Sequence, residues 1–159
     1  MKTKIFALGF GAAASLLISS GCASMVPKPE ISASRLSGAD LSALKTFYIA
    51  YEKQPTERQT RTLKAVEAAV GAHGSVSMGP QSAMPADTDC RVVVKGHWFW
   101  DLGWYQLKVE VSLYNARTGV LLGTGSSRRA DPSLRREPEF MANEVVDAIY
   151  RGAERDRLP

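Results

Sequence analysis

The chain predicts an α+β fold: a two-layer sandwich with a mostly antiparallel sheet, in the order β-α-β-β-β-β-α, and two helices on one face. Three observations carry this. A helical pattern follows an alternating run, an aromatic hairpin stands near the middle of the chain, and an amphipathic stripe closes it. Elements that alternate strictly between strand and helix, as a parallel α/β fold requires, are not present. No segment repeats at a solenoid period, and no heptad run is long enough for a coiled coil.

The first strand is read over Lys45–Tyr51, where Phe47, Ile49 and Tyr51 alternate with Thr46, Tyr48 and Ala50. Pro55 ends it. Thr56 and Gln59 have capping-box spacing, in which hydroxyl and amide each satisfy a free N–H of the first helical turn. A helix from about Glu57 to Ala72 follows, with Leu63, Val66 and Val70 on one face and Arg58, Arg61, Lys64 and Glu67 free to meet water. Gly71 and Gly74 offer a left-handed stop. His73 between them reads as a cation favoured by the helix dipole. Ser75–Met78 is a short strand candidate, and 79–89 is a loop.

From Arg91 to Trp100 the alternation places Val92, Val94, Trp98 and Trp100 on one face and Arg91, Lys95 and His97 on the other. Asp101-Leu102-Gly103 supplies turn chemistry. Tyr105, Leu107, Val109, Val111 and Leu113 then alternate with Gln106, Lys108, Glu110 and Ser112, which makes a hairpin. After a second turn at 115–119, Val120–Ser127 returns as the third strand of a meander. Glu137–Arg151 is the closing helix: Pro138 suits its first turn, Glu139 complements its dipole, and Met141, Val145, Ala148 and Ile149 form the stripe that packs on the sheet.

The N-terminal segment concerns location. Lys2 and Lys4 precede an uncharged, apolar or small run from Ile5 to Ile18, and Ser19-Ser20-Gly21-Cys22 closes it. As a helix the run reaches about 21 Å, short of a ~30 Å hydrocarbon core, so it reads as a signal and not a permanent span. Cleavage between Gly21 and Cys22 leaves 138 of the 159 residues, enough for one domain and one core. The two lysines leave with the signal, so 18 basic residues face 16 acidic ones, and the whole-chain basicity is no argument for a nucleic-acid footprint. Residues 22–39, with Pro27, Pro29 and several serines, read as a tether, and 40–155 as the folded domain.

This segment resembles a bacterial lipoprotein signal, with a serine at position 19 where leucine is more usual. The resemblance implies that the Cys22 thiol takes a diacylglyceryl thioether and that its new amine is acylated. Two or more acyl chains anchor stably at ~0.8 kcal/mol per buried methylene. Ala23 is not the aspartate that retains enteric lipoproteins at the inner membrane, so outer-membrane sorting, facing the periplasm, is expected. An ordinary secretory signal cut near Ala23 or Ser24 is the alternative. With Cys22 acylated, Cys90 has no disulfide partner and reads as a buried apolar residue. Together with the hairpin Trp98-Phe99-Trp100-Asp101-Leu102-Gly103-Trp104-Tyr105 and the following Leu113-Tyr114-Asn115-Ala116-Arg117-Thr118-Gly119, the chain resembles small, uncharacterised periplasmic lipoproteins of Gram-negative bacteria. That resemblance implies no particular reaction.

Catalytic patterns are absent from the sequence. His73 and His97 are not at ligand spacing, and neither Cys-x-x-Cys nor His-Glu-x-x-His occurs, so no metal and no cofactor is expected. Gly123-Thr124-Gly125-Ser126-Ser127 lacks the nucleophile elbow and reads as a small-residue sheet edge. Asp101 reads as a turn initiator, not an acid. Five aromatic side chains crowd one hairpin end, and alternation cannot bury all of them on one face. Either Trp98 and Trp100 fill the core while Trp104 caps the hairpin, or Trp98, Trp100, Trp104 and Tyr105 form a contact site for another envelope protein, glycan strands or lipid. Arg128, Arg129, Arg135 and Arg136 bracket the last loop and read as a mixed, solvated surface or as a site for anionic headgroups. The expectation is a non-enzymatic, lipid-anchored accessory protein bound to the membrane by its anchor and to another envelope protein by contact, with no nucleic acid. The alternative is a carrier of lipid or a small apolar ligand.

Overall fold

A computed structural model describes residues 29–100, 102–129 and 136–155. Gly21, Cys22, Asp101 and Arg135 lie outside them. A six-stranded mixed sheet carries two helices, the α+β sandwich that the pattern predicts. The elements are β1 (Glu30–Arg35), β2 (Thr46–Tyr51), α1 (Glu57–Gly71), β3 (Ser75–Pro80), β4 (Cys90–Trp100), β5 (Trp104–Asn115), β6 (Leu121–Arg128) and α2 (Pro138–Arg155). The sheet order is β1-β6-β5-β4-β2-β3. Three pairings are antiparallel, whereas β2 runs parallel to both β3 and β4.

The capping box forms as spaced: the Thr56 hydroxyl accepts from the Gln59 N–H, and the Gln59 side chain accepts from the Thr56 N–H at 2.8 Å. The helix ends differently from expectation. Gly71 and Gly74 do not adopt a left-handed conformation, and Ala72 caps α1 in the right-handed region. His73 is not an exposed terminal cation. Its ring lies flat on Tyr150, with centroids 3.6 Å apart, and burial lowers its pKa against the opposing pull of Asp147, favouring the neutral imidazole.

One core fills the space between sheet and helices. Phe47, Ile49, Val92, Val109, Val111 and Leu113 rise from the sheet to meet Leu63, Val66 and Val70 of α1 and Met141, Val145 and Ile149 of α2. Burying each such side chain contributes roughly 1.5–3 kcal/mol. Cys90 is fully buried there, and desolvation pushes its thiol up to about 12, which leaves it a small apolar residue.

Two departures sit at the N-terminal edge of the sheet. Glu30–Arg35 falls within the expected tether but forms a strand, pairing in register with Gly123–Arg128. Its side chains are mostly exposed. Backbone pairing and the flank of α2 therefore hold it where apolar burial of its own does not. In consequence Gly123–Ser127 is not a sheet edge, because β6 lies between β1 and β5. Its small residues admit α2: a Cβ at Gly125 would stand 3.0 Å from the Ile149 side chain and 3.1 Å from the Ser32 carbonyl oxygen.

Asp89 fastens the start of β4 to the start of β2. Its Oδ2 accepts from the N–H groups of Lys45 (3.0 Å) and Thr46 (3.1 Å), and its own N–H donates to Thr46 Oγ1 at 2.9 Å. The backbone bonds, Lys45 first and Thr46 next, hold its carboxyl below the ordinary 3.8. A depressed carboxyl stabilises the fold above its unfolded pKa and loses that contribution as pH falls through the folded value. Asp89→Asn is thus expected to lower Tm at neutral pH and to flatten its decline below about pH 4, as read by thermal melts across that range.

Candidate functional site

The hairpin of β4 and β5 extends past the rest of the sheet, since β2 pairs with β4 only through Phe47–Ile49 against Cys90–Val92. Its two strands are not in continuous register. His97 faces Lys108, but Trp98 faces Gln106, so Leu107 is an extra residue in a β-bulge. The bulge reverses the sidedness of β5. Val109, Val111 and Leu113 face the helices, and beyond the bulge Gln106 takes that side while Tyr105 turns to the other.

Thr62 of α1 organises the helix side. Its hydroxyl accepts from Gln106 Nε2 at 2.8 Å and Trp98 Nε1 at 3.2 Å, and donates to the Arg58 carbonyl at 3.3 Å, using its full hydrogen-bonding capacity. Gly96 makes room for this cluster: a Cβ there would lie 2.7 Å from Gln106 Nε2 and 2.8 Å from Thr62 Oγ1. Further out, the Arg58 guanidinium sits 3.9 Å above the Trp104 ring, and Trp104 tilts against Trp100 with centroids 5.6 Å apart. On the opposite face Phe99 meets Tyr105 edge-on at 5.7 Å. Behind it His97 Nε2 and Lys108 Nζ bond the two oxygens of Glu110 at 3.0 and 2.6 Å, which hold that carboxyl low.

The four aromatic residues singled out in the sequence thus separate. Tyr105 is buried and Trp98 half-buried and hydrogen-bonded, whereas Trp100 is 58% and Trp104 50% exposed. Trp100 is not a core residue. At the turn Leu102 is 98% exposed, and on the other face of the hairpin Phe99 is 51% exposed. Leu102 holds φ 51°, a left-handed conformation that a β-carbon disfavours by roughly 1–2 kcal/mol, so the turn spends conformational energy to present a bare leucine at its apex. Because both exposed tryptophans keep half their surface in water, Trp104→Ala should cost about 1–2 kcal/mol, against ~3–5 for a buried tryptophan. Chemical denaturation measures the difference.

The three described arginines near the last loop each have a different partner. Arg129 is buried against Glu144, Arg128 reaches Glu30 at 3.4 Å, and Arg136 lies over Phe140. Among the described residues no group of three or more His, Cys, Asp or Glu could hold a metal, and no helix is long and apolar enough to cross a membrane.

No family model and no curated protein matches this sequence. Solved structures resemble it to different degrees. A PelC dodecamer from Paraburkholderia phytofirmans superposes with a TM-score of 0.58 at 12% identity, covering 77% of this chain and 98% of that one. A point variant of that dodecamer in another crystal form gives 0.56 at 13% identity, with 77% and 97% covered. A DUF4136-family protein from Bacteroides thetaiotaomicron gives 0.46 at 9% identity, with 80% and 95% covered. At the identities of the PelC pair the path of the backbone is shared, and no residue's role transfers with it.

Proposed function

We propose that this chain is a lipid-anchored envelope protein of non-enzymatic, accessory type, tethered through Cys22 at the periplasmic side of the outer membrane and acting by contact. The observation that carries the contact reading is the apolar end of the β4–β5 hairpin, where Phe99, Trp100, Leu102 and Trp104 are each at least half exposed on a strained turn. Exposed aromatic side chains gathered at one end of a fold mark partner surfaces, and tryptophan gives much contact area for little lost side-chain freedom. Support for the anchor comes from the lipobox-like Ser19-Ser20-Gly21-Cys22. The neighbour of like fold assembles as a dodecamer, and self-association is one form that contact by this chain can take.

The carrier reading needs an apolar cavity between sheet and helices. That space is occupied by Phe47, Val66, Val109, Val145 and Ile149, each no more than 2% exposed. Cells fed labelled palmitate should mark the protein, its mature form should begin at Cys22, and Cys22→Ala should release it from membranes. An unmarked protein, or a mature form that starts elsewhere, removes the anchor from the account.

A further inference from the structure

Past Val92, β2 and β4 part company. β2 continues beside β3 to Tyr51 and turns through Pro55 into α1, while β4 runs on from Val93 to Trp100 with its backbone laddered to β5 alone among the described residues. A groove of about 640 Å³ opens between them, bounded by the 52–55 loop, Gln59 and Thr62 of α1 and the edge of β4. It lies beyond the carboxyl end of β2, at the point where α1 carries the chain to β3 on one side while β4 stands on the other. Ligands of open sheets gather at such switch points.

The groove has two properties that specify an occupant. Its wall is a strand edge whose N–H and C=O groups facing away from β5 have no backbone partner among the described residues, a template for an added strand. Its charge is one-sided: Lys53, Arg91 and Lys95 line it against Glu52. Arg91 rests over Tyr114 and His97 bonds Glu110, whereas Lys53 and Lys95 have no ion-pair partner among the described residues. We infer that the β4 edge receives an extended, acidic peptide segment of a partner protein as an additional strand, its carboxylates meeting Lys53 and Lys95. A glycan offers carboxylates but no alternating amide donors and acceptors, so it cannot continue the ladder. The inference goes beyond the anchored-contact reading and depends neither on Cys22 nor on the hairpin apex.

Fluorescence anisotropy on the full chain in detergent, with a labelled octapeptide alternating threonine and glutamate, tests this. The acidic peptide should bind saturably, and hydrogen exchange should slow at amides between Val93 and Trp100. Methylating alternate backbone nitrogens of the peptide should weaken binding at least about tenfold, and Lys53→Glu with Lys95→Glu should weaken it about fivefold. Both lysines are exposed, so Tm of the double variant should stay near that of the parent. Absence of binding at millimolar peptide, equal affinity for the methylated peptide or for a threonine–lysine peptide, or displacement by polygalacturonate without protection of β4 would each overturn the inference.

Discussion

Replacing Glu144 by alanine should lower the unfolding free energy by about 3–5 kcal/mol, an effect on the scale of the whole stability of a small domain. Arg129 is only 2% exposed, and Glu144 carries its compensating charge while also accepting from Ser127 Oγ at 2.8 Å. Removing the carboxylate strands a buried guanidinium whose Nε and Nη1 have no hydrogen-bond partner among the described residues. Removing both charges should be far milder, because an apolar pair of like volume avoids the desolvation that the ions suffer. Arg129→Met combined with Glu144→Leu is therefore expected to recover most of the loss. Urea titration of the two single variants and the pair, taken as a double-mutant cycle, reads the coupling directly. A Glu144→Ala variant as stable as the parent would show that the pair contributes nothing.

Thr62→Val should cost about 2–4 kcal/mol although valine matches threonine in shape. Gln106 is 1% exposed and Trp98 half-buried, and both lose their acceptor at once. A stranded buried donor costs roughly 1–3 kcal/mol. Thr62→Ser keeps the acceptor and should cost far less, so comparing Val with Ser isolates the hydroxyl. For a domain of this size the valine variant should fall by roughly 8–20 °C in Tm. The loss should also loosen the outer half of the hairpin, seen as faster amide exchange from Trp98 to Gln106, because Thr62 ties both strands of that half to α1.

Elements whose side chains alternate or repeat with their own secondary-structure period were legible in the sequence. The capping box at Thr56 and Gln59, the β4–β5 hairpin and the stripe of Met141, Val145 and Ile149 are of this kind. What the sequence hid depends on pairings between distant segments. Glu30–Arg35 shows no apolar alternation, since its strand exists to satisfy the backbone of β6. The bulge at Leu107 leaves no local mark, because Tyr105-Gln106-Leu107-Lys108 alternates without a break. Its one signal was Gly96, a residue without a side chain on an otherwise bulky strand, placed where Gln106 and Thr62 converge. Because of that bulge Tyr105, which simple alternation groups with the tryptophans, does not share their surface. His73 departs from the helix-end cation for a related reason: its partner Tyr150 lies at the other end of the chain.

The exposed hairpin apex is the centre of the functional account, and a photocrosslinking amino acid at Leu102 tests it most directly in living cells. Leu102 should yield a discrete adduct of defined mass, while the same probe at Lys64, exposed on α1, yields none. No adduct at Leu102, or the same products from both positions, would mean that the apex touches nothing in particular and would contradict the account.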